Sequence, residues 1–200
     1  MPAHERIQVI FEAAERLFGA HGYERVTMAE IAAEAGMSKR TLYVCFTDKQ
    51  ALLTSLVASS CIWEDGALVA GSGDPVALLA ARLRVIAKHV LSARHIRLCR
   101  LAIGESMGVE GLGKTFYDMA FMASRQSLIE SVCAISSGRR RVRLPDPIMA
   151  DVLFGASAGH PLFEALVAGK TPQLPDVYVA IEQVVDALFV VDAQVDKPVG

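Results

Sequence analysis

The sequence predicts an all-α protein of about nine helices, and three observations predict it. Apolar residues recur at three- and four-residue steps over nearly the whole chain. The apolar–polar alternation of a half-buried strand is almost absent. Short runs of Gly, Pro, Ser, Thr and Asp punctuate the pattern at helix-length intervals. With 200 residues, 52% of them apolar, the chain can build a sizeable core and is too hydrophobic for disorder.

The first helix is expected over residues 4–20, where Ile7, Ile10, Phe11, Ala14, Leu17 and Phe18 share one face. Gly22 should end it in the left-handed conformation. Thr27 and Glu30 have the Thr-x-x-Glu spacing of a capping box, so a second helix starts there and runs to Gly36. Ser38 caps a third, to about Phe46. Thr47-x-x-Gln50 reads as another capping box and opens a fourth helix, which continues towards Val69. Gly71 to Pro75 is a break, with Asp74 as N-cap and Pro75 as first helical residue of the fifth helix, about 75–91. The sixth covers about 93–107 and the seventh about 112–136. Asp146-Pro147 repeats the cap-plus-proline start and opens an eighth, to Ala168, with a kink expected near Gly159 because Pro161 lacks a backbone donor. The ninth spans about 176–192. Composition divides the chain into three short, tightly punctuated helices (1–46) and longer, more apolar ones (47–200).

Net charge is −2 and the isoelectric point about 6.2, which excludes a histone-like coat of positive charge but not a local basic face. Residues 1–50 carry six cations and seven acids; residues 37–50 carry three cations and one acid. The run Arg139, Arg140, Arg141, Arg143 is expected to form a solvated loop, with a second anionic contact as the alternative. The longest uncharged stretch, Gln50 to Trp63, is too short to span a membrane, and nothing at the N-terminus reads as a signal, so a cytoplasmic location is expected. Cys45, Cys61, Cys99 and Cys133 form no metal-ligand or disulfide spacing; the last three are expected to be small buried residues. No cofactor and no metal site is expected. No P-loop, nucleophile elbow, dinucleotide fingerprint or His-Glu-x-x-His is present, so no catalysis is expected either.

The tight turn Ala35-Gly36-Met37-Ser38 between two capped helices reads as a helix-turn-helix. Ala32 is small at the point of closest approach, and Ile31, Ala35, Met37, Leu42 and Cys45 supply the buried side. Lys39, Arg40, Thr41, Tyr43 and Val44 are left facing outward, a hydrogen-bonding and cationic set suited to a DNA groove.

Thr27-Met28-Ala29-Glu30-Ile31-Ala32, then Ala35 to Tyr43, then Phe46-x-Asp48-Lys49-x-Ala51-Leu52-Leu53 resemble the N-terminal domain of TetR-type transcriptional regulators. Residues 94–169 more loosely resemble the AefR-like branch, through Phe116-Tyr117, Arg125 and the basic loop before Asp146-Pro147. The resemblance implies a homodimeric all-α repressor on a double-stranded, palindromic operator. It implies DNA contacts from Thr27, Ser38, Lys39, Arg40, Thr41, Tyr43 and Lys49, with Lys49 and Tyr43 on phosphates. It also implies a small effector, apolar or aromatic, held among Trp63, Met107, Phe116, Tyr117, Phe121 and Met122, whose binding releases the DNA. The family commonly has Tyr-His-Tyr-Phe where this chain has Tyr43-Val44-Cys45-Phe46. One phosphate contact is therefore missing, or replaced by apolar contact with a thymine methyl.

Dimerisation is expected through the eighth and ninth helices. Val177, Ile181, Val184, Val185, Leu188, Phe189 and Val191 offer more apolar surface than one core face uses, with Leu153, Phe154, Leu162, Phe163 and Leu166 beside them. The rival reading is a helical small-molecule carrier with a degenerate DNA tip, supported by Val44 and Cys45. Binding to duplex DNA separates the two.

Overall fold

The computed structural model describes residues 2–61 and 73–190. Among them the α-helices are α1 (Ala3–His21), α2 (Met28–Glu34), α3 (Lys39–Cys45), α4 (Lys49–Ser59), α5 (Pro75–Val90), α6 (Ala93–Glu105), α7 (Leu112–Phe116), α8 (Ala123–Cys133), α9 (Asp146–Phe154), α10 (His160–Ala168) and α11 (Leu174–Leu188). A π-helical segment, Tyr117–Met122, joins α7 to α8, and another, Gly155–Gly159, joins α9 to α10. Counting each joined pair once gives nine helical runs, and the all-α class holds. The Gly155–Gly159 segment falls where Pro161 is expected to kink the eighth helix; nothing in the sequence marks Tyr117–Met122.

Contacts group the chain into two compact units, 1–63 with 93–121 and 64–92 with 122–200. The composition shift at 46/47 follows the chain and not these contacts.

In the first unit, α1, α2, α3, α4, α6 and α7 close around Ile10, Phe11, Phe18, Ile31, Leu42, Leu53 and Leu98. Glu15 on α1 accepts from Arg94 at 3.1 Å and Arg97 at 2.7 Å on α6. Helix ends follow the caps with two exceptions. Gly22 has a positive φ but ψ 153, an extended glycine conformation and not the left-handed helical one. Thr47 does not cap α4: Asp48 is the N-cap, and its carboxylate accepts from the Ala51 amide at 2.7 Å. A carboxylate at that end also gains from the helix dipole, while Gln50 turns away and donates to the Glu110 carbonyl at 2.9 Å. α4 stops at Ser59. Ser59 and Ser60 return their hydroxyl protons to carbonyls three residues back, at 2.7 Å each, the local competition that makes serine a poor helix-interior residue.

In the second unit, α5, α8, α9, the Gly155–Gly159 segment and α11 pack together. Asp74 caps α5 as the sequence predicts. Asp146 does not cap α9: Pro145 holds that position, Asp146 is the first helical residue, and its carboxylate accepts from Arg140 and from the Cys133 thiol, 2.9 Å away. Cys133 is therefore an exposed hydrogen-bonding residue and not a buried one, unlike Cys61 and Cys99. On α11, Val177, Ile181, Val185 and Phe189 are buried within the unit, so this stripe serves its own core; Val191 lies outside the described residues. Outward apolar residues include Phe163, one of those named from the sequence, and Val167 on α10, 64% and 72% exposed, with Val179 on α11.

Three of the four arginines of the basic run form a clamp, and only Arg143 stands exposed without entering it. Arg139 donates to both Asp74 oxygens and to the Val190 carbonyl, at 2.8 and 3.0 Å for the latter. Arg140 donates to Asp146 and to the carbonyls of Val132 and Ile135 that the end of α8 leaves open. Arg141 donates to the Phe189 carbonyl at 2.9 Å. Backbone bonds from Arg141 to Leu188 and from Val190 to Arg139 complete a short antiparallel bridge. Guanidinium groups satisfy several orphaned carbonyls at once, and that need is invisible in a charge count.

Candidate nucleic-acid interface

The α2–α3 unit is built by its ends. Thr27 accepts from the Glu30 amide at 3.3 Å, and Glu30 accepts from the Thr27 amide at 2.7 Å, so the capping box forms in both directions. The Thr27 hydroxyl also donates to Glu30 at 2.8 Å. These bonds hold the Glu30 carboxyl below its ordinary range, the Thr27 amide being the larger cause. The N-terminus of α2 thus already carries a carboxylate, at the position where the resemblance implies a DNA contact from Thr27.

The turn is a Schellman closure. The Met37 amide reaches the Ala32 carbonyl at 2.8 Å and the Gly36 amide reaches Ala33 at 3.0 Å. Gly36 sits at φ +63, which favours a residue without a Cβ. Ser38 then caps α3, accepting from the Thr41 amide at 3.1 Å and sharing a hydrogen bond with the Thr41 hydroxyl at 2.8 Å. Of the set assigned to DNA, Ser38 and Thr41 therefore hold the start of α3 in shape.

Leu42 is fully buried and roots α3 in the core, while Phe46 lies 5.7 Å from Phe11. Lys39, Arg40, Tyr43 and Val44 stand exposed on one side of α3, Tyr43 at 53% and Val44 at 74%. Cys45 is half-buried at the edge of the core, so the smaller residue at this position leaves the packing closed. Lys49 is placed otherwise than expected. Its ammonium donates to the carbonyls of Tyr23 at 2.8 Å and Glu24 at 3.2 Å, and lies 4.2 Å from the centre of the Tyr23 ring. It ties the start of α4 to the α1–α2 loop.

The proposed effector residues are partly brought together. Tyr117 and Phe121 stack with ring centres 5.4 Å apart. Phe116 packs, half-buried, on the core of the first unit, 6.4 Å from the His95 ring. His95 is itself buried and its Nδ1 donates to the Ser60 carbonyl at 3.0 Å. Met107 is 96% exposed. Met122 is exposed and falls in the second unit, and Trp63 lies outside the described residues. A pocket of about 390 Å³ occurs elsewhere, within the second unit, lined by Ser157, His160, Pro161, Glu164, Lys170 and Gln173 among others. Lys170 holds the Glu164 carboxyl below its ordinary range. These residues come from α10, the adjoining π segment and the loop before α11, and no spacing marks them in advance.

Among the described residues no group of three or more His, Cys, Asp or Glu is placed to hold a metal ion, and no helix is long and apolar enough to cross a membrane.

Residues 10–56 match the model of the tetR family of bacterial regulatory proteins. Across nearly the whole chain the fold is that of solved structures of this type. A protein of Mesorhizobium loti MAFF303099 placed among TetR-family transcriptional regulators is 23% identical, with a TM-score of 0.77, covering 95% of this chain and 100% of its own. A TetR family transcriptional regulator from Pseudomonas syringae pv. tomato DC3000 is 16% identical, with a TM-score of 0.70 and coverages of 92% and 94%. The transcriptional regulator FadR from Bacillus subtilis, solved with stearoyl-CoA, is 17% identical, with a TM-score of 0.70 and coverages of 89% and 97%. No curated protein matches the sequence at a significant level.

Proposed function

We infer, from the match of residues 10–56 to the tetR family of bacterial regulatory proteins, that the chain is a cytoplasmic, homodimeric repressor of that family, released from its operator by a small apolar or aromatic effector. The observation that carries this reading is the face of α3. Two cations, a phenol and a valine stand exposed on a helix rooted by Leu42 and held rigid by caps at both ends of the preceding turn. A second copy brings a second α3, and two such helices fit successive major-groove half-sites. The exposed Phe163, Val167 and Val179 support self-association through α10 and α11. The stacked Tyr117–Phe121 pair supports an effector with an apolar body, and the stearoyl-CoA of the Bacillus subtilis relative is a precedent for such a ligand.

The test is a mobility shift on duplex DNA flanking the protein's own coding sequence, with the mass of the complex measured in parallel. Two chains per duplex are expected at moderate salt, and dissociation when an apolar ligand saturates the protein. Binding of that ligand without any duplex binding would favour the carrier reading.

The position of Lys49 revises one expectation. Lys49→Met should lower folding stability by about 1–3 kcal/mol, because charged hydrogen bonds and a cation–π contact are lost together. The salt dependence of DNA affinity should stay unchanged. Urea melts and a salt titration check both. A slope reduced by about one per subunit would instead put the ammonium on a phosphate.

A further inference from the structure

We propose that Val44 reads the 5-methyl group of a thymine in the major groove, one per half-site. The proposal rests on the DNA-binding reading above and names the base chemistry that α3 selects.

The geometry begins with Leu42, fully buried and so marking the inward direction of α3. Each residue turns an α-helix by about 100°, so Arg40 and Val44 lie about 160° from Leu42 on either side. They straddle the line pointing straight out of the protein. Val44 is accordingly the most exposed apolar side chain of α3, at 74%. Its isopropyl group contributes little to the core, and a β-branched residue lowers helix propensity slightly. Its neighbours identify the partner. Arg40 stands beside it, one turn back, while Lys39 is exposed nearer the start of the helix. The outermost line of the helix therefore pairs one cation with one apolar group, which suits a polyanion carrying a small apolar feature at the depth of its groove. On the base edges of the major groove that feature is the thymine methyl. Valine has no hydrogen to donate, so it cannot serve as a phosphate contact.

Burial of one methyl-sized contact corresponds to about fourfold in affinity per half-site, or about fifteenfold for a two-fold operator. The test starts with a duplex selected by the wild-type protein from a random-sequence pool. Each thymine is then replaced by deoxyuridine, which removes the methyl and keeps the pairing. At one position per half-site, symmetric about the centre, wild-type affinity should fall about fourfold. With Val44→Ser, which replaces the isopropyl group by a hydroxyl, the same replacement should change affinity little, and thermal melts should show the variant folded. The inference is overturned if no deoxyuridine replacement weakens wild-type binding, or if the variant shows the same loss. A pool that yields no enriched duplex overturns the DNA-binding reading, and this inference with it.

Discussion

Arg40→Ala should lower operator affinity by about 5- to 150-fold per half-site while leaving the thermal midpoint nearly unchanged. The magnitude follows from the loss of about 1–3 kcal/mol when an arginine–base contact is removed. The unchanged midpoint follows from position: Arg40 points directly away from Leu42, is exposed, and lies outside the capping bonds of Ser38 and Thr41. The same variant shows what Arg40 touches. A base contact relaxes sequence preference at one position of each half-site. A phosphate contact weakens all sequences together and reduces the salt slope by about one per subunit. Titration against matched and mismatched duplexes at several salt concentrations separates these. An affinity within twofold of wild type on every duplex would remove α3 as the DNA-reading element.

Arg139→Ala should be the most destabilising change at a charged residue of the second unit, by about 2–4 kcal/mol at neutral pH. Both it and Asp74 are about three-quarters buried or more, with side-chain exposures of 19% and 26%. Removing one partner of such a pair leaves a desolvated carboxylate and an open Val190 carbonyl. The effect should depend on pH with a definite sign. Hydrogen bonding from Arg139 is the main cause that holds the Asp74 carboxyl below its ordinary range, and burial opposes it. A depressed folded-state value means that the stabilisation is complete above the unfolded aspartate value of about 3.9 and disappears as pH falls through the folded value. Asp146 and Asp151 are lowered in the same way, Asp146 by Cys133 and then Arg140, Asp151 by Arg125. Wild-type stability should therefore fall steeply below about pH 4. The gap between wild type and Arg139→Ala should narrow over the same range, because the acid removes from the wild type what the substitution has already removed. Chemical melts from pH 7 to pH 3 measure it; a constant gap would mean that Asp74 titrates alike in both proteins.

What could be read from the sequence was local and directional. The Thr27–Glu30 box, the Gly36 turn, the Ser38 cap and the Asp74–Pro75 start are signals in which a short side chain can reach only its own helix end. The capping of α4 was misread because two residues in succession, Thr47 and Asp48, could each serve; the carboxylate one residue later has the stronger acceptor. Asp146 was misread for another reason. It has the cap-plus-proline spacing of Asp74, yet Arg140 lies six residues before it, and a charged partner outweighs a backbone amide. The arginine run was opaque because its partners are carbonyls at the ends of α8 and α11, up to fifty-one residues away. The partners of Lys49 were opaque likewise: the carbonyls of Tyr23 and Glu24 are set by how the α1–α2 loop closes. On α3 the outward residues were legible from periodicity alone, since a seven-residue helix anchored at Leu42 leaves them one direction to face.

The π segment Gly155–Gly159 has a consequence for the second half of its helix. A π turn accommodates one residue more than the α turn it replaces, so everything after it is out of phase by about 100° with everything before. Before it, Met149, Ala150 and Leu153 point into the unit; after it, Ala165 alone is buried and Phe163 and Val167 face outward. Pro161 helps hold the slip in place, because its ring disfavours the regular turn that would erase it. One continuous rod thereby addresses two different audiences, its own core with one half and the outside with the other. A lineage of such proteins could re-aim the outer half by gaining or losing a single residue here, without rewriting the inner half. Partner choice would then drift by insertion and deletion more readily than by substitution.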